Sequence, residues 1–213
     1  DRTTKGNGDY RIDSGGVFEL EYGTDTSLPF SSSLAVSAMR EQLGDVTYSA
    51  KGGITYKPSD RLSFDLDFIY RDTNNWLIHL DGSLLGAYNA KHWQPSIAAE
   101  LFITSKQQLR FSMQWVGINA DAQSLYSAAA EDDLVQVTNG ISSADFDFTI
   151  SRLTAQIRYR WELAPLSDLF VVYTIGSNLP NRQDDGFGNL FRDSLTDRAV
   201  DRLVIKFRYR LNY

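Results

Sequence analysis

The feature that most constrains this chain is a two-residue alternation of apolar and polar side chains, held over unusually long runs. Near the C-terminus Leu203, Ile205, Phe207, Tyr209, Leu211 and Tyr213 share one parity, Arg202, Lys206, Arg208, Arg210 and Asn212 share the other, and Val204 is the exception. Leu153, Ala155, Ile157, Tyr159, Trp161 and Leu163 repeat the pattern against Arg152, Thr154, Gln156, Arg158, Arg160 and Glu162. So do Leu62 to Tyr70 against Ser63, Asp65 and Asp67, and Leu109 to Trp115 against Arg110, Ser112 and Gln114. Weaker versions occupy Phe18 to Tyr22, Leu34 to Ala38, Val46 to Tyr56 and Ile97 to Ile103. A period of two belongs to an extended strand, whose successive side chains point to opposite faces. Helical spacing is nearly absent, so the predicted class is all-β, built from antiparallel strands.

Run length narrows the choice further. Strands of soluble domains usually hold about 5–6 residues, whereas ~10 residues at a ~45° tilt cross a bilayer's hydrocarbon, and the run from Leu153 to Leu163 meets the second requirement. The connectors are of two kinds. Lys57 to Asp60, Ser105 to Gln108 and Ala164 to Asp168 are tight turns, while Asn119 to Ala144 and Ser177 to Asp197 read as long, polar, acidic loops. Short turns at one end and long loops at the other characterise outer-membrane barrels. Tyr70, Trp76, Trp93, Trp115, Tyr159, Trp161, Tyr173, Tyr209 and Tyr213 fall near strand ends, where amphipathic rings favour the headgroup boundary. The competing class is a soluble sandwich or lipocalin-like carrier, which requires the Leu153 to Leu163 face to point into a protein interior.

Asp81-Gly82, between Trp76 to Leu80 and Leu84 to Tyr88, is a hairpin signal. It predicts two long strands that rise beyond the membrane and meet in a tight external turn. The expected organisation is a loop start or disordered stretch over 1–9, followed by a single transmembrane β-barrel domain, or its C-terminal portion, over 10–213. Nine strands are expected, near 10–24, 29–43, 45–57, 61–80, 84–104, 108–118, 145–163, 168–177 and 198–213. Because single-chain bacterial barrels have even strand numbers, nine means either a count off by one or the C-terminal part of a larger barrel; the second is preferred.

Particular strings carry a resemblance. A terminal strand with Phe207, Tyr209 and Leu211 at alternate positions and Tyr213 at its end resembles the assembly signal of bacterial outer-membrane barrels. Lys106 to Phe111, Gln114 to Ile118, Arg158 to Glu162 and Ala164 to Tyr173 are similar to the C-terminal barrel of an uncharacterised outer-membrane family. In that family a domain similar to family-9 carbohydrate-binding modules precedes a barrel known only as a domain of unknown function. The resemblance covers roughly 45–213 and lacks the carbohydrate-binding module. It implies location and architecture, with no catalytic residues to carry over.

If the apolar faces meet lipid, the polar faces line a lumen with segregated charge. Glu19, Glu21, Asp65, Asp67 and Glu100 form an acidic arc from the first five strands, and Arg110, Arg152, Arg158, Arg160, Arg202, Lys206, Arg208 and Arg210 a basic arc from the last four. Adjacent arcs of opposite sign would set a transverse field across a pore. The first expectation is porin-like or transporter-like passage of small polar or anionic solutes, saccharide-derived ones among them. The alternative is a membrane anchor with a closed lumen, its arcs paired internally, that presents a binding domain or partner. An anion preference is expected of any conducting form, from Arg158, Arg160, Arg208 and Arg210.

Composition removes other chemistries. With no cysteine there is no disulfide scaffold, zinc ribbon or thiol nucleophile, and two histidines disfavour a multi-histidine metal centre. A net charge of −6 argues against a nucleic-acid partner. No stretch approaches the ~18 uninterrupted apolar residues of a spanning helix, and Asp1 to Gly8 lack the apolar core of a signal peptide. His79 and His92 flank the Asp81-Gly82 turn and are candidates to face one another, a hydrogen-bonding pair rather than a metal site without a third ligand. Asn181, Asp184, Asp185 and Asn189 have a calcium-loop composition without its ligand spacing, and read as a solvated acidic loop. No nucleophile elbow occurs, so no enzyme, cofactor or metal is expected. The expected location is the Gram-negative outer membrane with the long loops extracellular. The expected partners are its lipid and lipopolysaccharide, the barrel-assembly machinery, and a partner protein or upstream carbohydrate-binding domain.

Overall fold

A computed structural model describes residues 14–128, 133–138, 140, 142–180 and 186–210. The expected leading stretch over 1–9, the residues Leu211 and Tyr213 of the proposed assembly signal, and Asn181, Asp184 and Asp185 lie outside the described residues. The alternating segments form one antiparallel sheet: β1 (Val17–Gly23), β2 (Phe30–Arg40), β3 (Val46–Ser59), β4 (Leu62–Asp81), β5 (Leu84–Thr104), β6 (Gln107–Ala128), β8 (Phe148–Ala164), β9 (Ser167–Pro180) and β10 (Val200–Arg208), in that spatial order. A short β7 (Leu134–Gln136) pairs with β6 beside this path. Nine strands make the wall and β7 is a tenth that the alternation did not reveal. Among the described residues the sheet is not closed: β1 and β10 pair on one side only.

Register turns alternation into two surfaces, because residues directly opposite in an antiparallel pair share a face. Phe30, Tyr56, Phe64, Ala99, Phe111, Ile157, Tyr173 and Leu203 form an unbroken apolar row across eight strands. The adjacent row on the opposite face runs Ser31, Thr55, Asp65, Ala98, Ser112, Gln156, Thr174 and Arg202. Among the described residues no second layer lies over these two rows in this half of the sheet, although the helix Phe187–Thr196 packs on the same face as the apolar row, against Trp93 and Trp115. Leu66 is 46% exposed, Ile157 45%, Leu203 61% and Phe207 58%.

The other half is packed on both faces. As expected, β4 and β5 form a long hairpin whose turn places Gly82 at φ +52°, a left-handed conformation that glycine adopts without Cβ strain. Between Thr73 and Trp76 the register shifts, with Asn75 at φ +52° and its side-chain amide donating to the Asp45 carboxylate at 2.7 Å. The extra residue brings Trp76 and Ile78 onto the face that Asp67 and Arg71 occupy lower down. There Tyr88, Ala90, Ala120 and Ala122 are buried beneath Phe146 of a 3₁₀ turn (Ser143–Phe146). On the opposite face Leu77, Leu85 and Ala87 pack with Leu43, Tyr126 and Leu134.

Several expectations are corrected here. The segment Asn119 to Ala144 is not one long loop, since β6 continues to Ala128 and β7 and the 3₁₀ turn follow. The segment Ser177 to Asp197 is not an extended acidic loop either: β9 continues to Pro180, and Phe187–Thr196 form helix α1. Phe187, Leu190, Phe191 and Leu195 line one helical stripe at i, i+3, i+4 and i+8, and they seat α1 against Trp115, Leu153 and Ile175. The Trp115 indole donates to Ser151 Oγ at 2.9 Å, and that hydroxyl donates to the Leu190 carbonyl at 3.0 Å. Trp76 and Trp115 therefore sit in protein cores, not at a strand-end boundary, because the strands run past them. Among the described residues no helix is long and apolar enough to cross a membrane, which says nothing of crossing by strands.

Candidate functional site

The charged residues singled out from sequence gather on the polar face, and the register shows how. Glu19 and Glu21 lie on β1, Asp65 and Asp67 on β4, and Glu100 on β5; Arg110 on β6, Arg152, Arg158 and Arg160 on β8, and Arg202, Lys206 and Arg208 on β10 continue the surface. Arg210 follows β10, its backbone N–H donating to Ser167 Oγ at 3.1 Å. The acidic and basic arcs thus adjoin on one face, with the cations Lys51, 3.1 Å from Glu19, and Arg71 within the acidic side.

The seam between the arcs is a carboxylate–guanidinium fork. Arg110 donates through Nε and Nη2 to the two oxygens of Glu100 at 3.0 and 3.2 Å, and Gln108 also donates to Glu100. Such a paired geometry fixes a guanidinium plane as well as its charge. Asp65 accepts from Thr55 at 2.7 Å, and Asp67 from Ser96 at 3.4 Å. Asp168, its side chain 2% exposed, is held by two cations: Arg160 at 3.0 Å and Arg208 across the β9–β10 pair. Arg152 is held by the Asn178 amide oxygen at 2.9 Å.

Among the described residues the remaining cations, Arg158, Arg202, Lys206 and Arg210, have no carboxylate partner. Arg158 stands directly opposite Arg110, a like-charge cross-strand pair, and contacts Gln156 at 3.1 Å. Among the described residues Arg202 and Lys206 form no ion pair. Like charges placed opposite one another are destabilising unless something bridges them, so this stretch of wall is electrostatically unfinished. A hollow of about 260 Å³ opens there, lined by Gln108, Arg110, Arg158, Arg160, Phe170 and Arg208. A neighbouring hollow of about 310 Å³ includes Asp65, Glu100, Arg110 and Arg158.

Sequence reading had not marked Gln108, Asp168 or Phe170. Asp168 follows a tight turn and Phe170 sits in an apolar run that masks the alternation; cross-strand register was the missing information. The two histidines are not brought together. His79 lies opposite Leu85 and contacts the Gly82 carbonyl at 2.8 Å, whereas His92 lies opposite Arg71 with its ring beside Trp76. Among the described residues no three His, Cys, Asp or Glu side chains cluster in a metal-binding arrangement. In the packed half, burial and the nearby Asp147 push the Tyr88 phenol above its ordinary value, so it stays protonated and donates to the Phe146 carbonyl at 3.2 Å.

Fold and face together define an all-β antiparallel sheet with one charge-segregated polar surface and one apolar surface, which α1 covers around Trp115 and Leu153 and which is exposed along rows that include Phe64 and Leu203. The chain belongs to the family described as a domain of unknown function, DUF5916, whose profile matches residues 10–213. No curated protein and no solved structure matches it.

Proposed function

We propose that this chain is the membrane-spanning wall of a bacterial outer-membrane β-barrel. Its apolar face would meet lipid, and its polar face would line a lumen that passes small polar or anionic solutes, saccharide-derived ones among them. The observation that carries this reading is the uncovered row from Phe30 to Leu203. Soluble monomers rarely expose contiguous apolar patches above roughly 300–600 Å², and rings such as Phe64 and Phe207 are large, exposed and on the same side.

Membrane burial also demands partners for the free edges, since no unpaired backbone group is tolerated in hydrocarbon. With nine antiparallel strands in line, β1 and β10 run in the same direction. Direct closure would be a parallel pair, and an odd number of further strands would close it antiparallel, in keeping with a larger barrel. Phe207 and Tyr209 would belong to the strand read by the barrel-assembly machinery. Connections at one end, 24–29, 60–61, 105–106 and 165–166, are all short, and those at the other are 41–45, 82–83 and the two that carry β7 and α1; the second end would face outward, toward lipopolysaccharide and any upstream carbohydrate-binding domain.

A second reading, an anchor with a closed lumen that presents such a domain or a partner, is favoured by the internal pairing of Glu100 with Arg110 and of Asp168 with Arg160 and Arg208. Reversal potentials across a planar bilayer in a salt gradient test the first reading. Anion-preferring channels are expected. Cation preference overturns it, and silent but membrane-inserted protein transfers support to the anchor.

A further inference from the structure

We propose that the arginine hollow between β6, β8, β9 and β10 is a saturable binding site for a small phosphate-type oxyanion, a substrate class for the lumen described above and therefore resting on that reading. Four guanidiniums, Arg110, Arg158, Arg160 and Arg208, line a space that holds no carboxylate of its own, and the carboxylates they do engage, Glu100 and Asp168, number two. Two positive charges are left over. Among the described residues Arg158, opposite Arg110, is the one of the four without a carboxylate partner.

The arrangement suits an oxyanion in particular. Glu100 fixes the Arg110 plane through two hydrogen bonds, and Asp168 is shared between Arg160 and Arg208. The cradle is thereby held open in the absence of ligand, which lowers the ordering cost of binding. Arginine forks match tetrahedral oxyanions with several convergent N–H donors, a geometry that a halide does not use. An anion bridging Arg110 and Arg158 would relieve the like-charge opposition that the strand register imposes.

Size and lining limit the rest of the ligand. About 260 Å³ falls below the roughly 300–1,000 Å³ usual for drug-sized ligands. The space has room for a bare oxyanion or one carried on a single small ring. Phe170, with Arg160 at 6.0 Å from its ring centroid and Lys206 opposite it, offers the apolar face on which such a ring would rest. The hollow is on the polar face, so a lipid headgroup seated against the apolar surface cannot reach it.

Calorimetric titration of inorganic phosphate into the full chain in detergent micelles tests the site at low ionic strength. Saturable binding is expected. Arg158→Gln should weaken it ~10-fold or more, the ordinary effect of losing one charge-assisted fork. Arg158→Lys, which keeps the charge and loses the fork, should fall between. Lys51→Gln, at the acidic end of the same face, should leave affinity unchanged, as should anionic phospholipid added to the micelles. Non-saturable binding, equal binding by Arg158→Gln with its strand circular dichroism intact, or competition by the phospholipid overturns the proposal. Conductance separates the two readings: anion-selective current without phosphate saturation leaves the pore standing and removes the site, whereas saturable phosphate without current does the reverse.

Discussion

The same strands serve two different surroundings at their two ends. Below Thr73 on β4 the two residue parities differ in character, and much of the apolar parity is exposed, Phe64 and Leu66 among it; above it, Trp76, Ile78 and Tyr88 on one face and Leu77, Leu85 and Ala87 on the other are all packed. The switch is a register shift at Asn75. A strand that alternates strictly has one face for protein or water and one for something else, whereas a strand apolar on both faces must be covered twice. The lower wall thus has the pattern of a sheet solvated by two media, and the upper tier that of an ordinary protein core.

The comparison is broken most decisively by placing charge on the lower apolar row. Ile157→Arg should abolish stable membrane assembly, since an arginine facing lipid near the bilayer midplane costs about 2–4 kcal/mol in a barrel. Gln156→Arg, one residue away on the opposite face, should assemble normally. Urea-resistant membrane fractionation of the two variants reads the contrast, and equal behaviour would place both faces in water. In the upper tier the expected effect is comparable in energy but different in kind. Leu190→Ala removes the fully buried anchor of α1 and should cost about 2–4 kcal/mol locally. It should speed hydrogen exchange in α1 and β8 around Ser151 without altering membrane recovery. Loss of membrane recovery with this variant would make α1 part of the spanning wall.

How much of this was legible in the sequence follows the same division. Where one parity is apolar over a whole strand, as from Leu153 to Leu163, the strand, its face and its neighbours' faces could be read directly, and the pairings put the charged residues of neighbouring strands on one face. Where a strand is covered on both sides, as in β6 beyond Ile118, alternation disappears and the segment reads as loop. The α1 stripe of Phe187, Leu190, Phe191 and Leu195 was present as helical spacing but lay inside a polar, acidic stretch that masked it. The Asp168 clamp depended on register, because Arg160 and Arg208 come from different strands and meet at Asp168 through two separate pairings. Alternation assigns a residue to a face; it does not assign its height along the sheet.

Smaller effects sharpen the same contrast. At the hairpin tip, Gly82→Ala forces a side chain into left-handed backbone at φ +52°, which should cost about 1–2 kcal/mol, read as faster proteolysis at the β4–β5 turn. The least of the series compares one polar bond from each half. Tyr88→Phe deletes the hydroxyl that joins β5 to the 3₁₀ turn and leaves the Phe146 carbonyl short of a donor in a packed setting, so about 1 kcal/mol is expected. Lys51→Ala removes an ion pair whose side chains are 48% and 45% exposed, where water and salt screen the attraction, and should cost no more than about 0.5 kcal/mol. Denaturant titration of the refolded protein in micelles would rank them. A larger loss from Lys51→Ala than from Tyr88→Phe would mean that the lower polar face is drier than the upper core, and would overturn the open lumen proposed above.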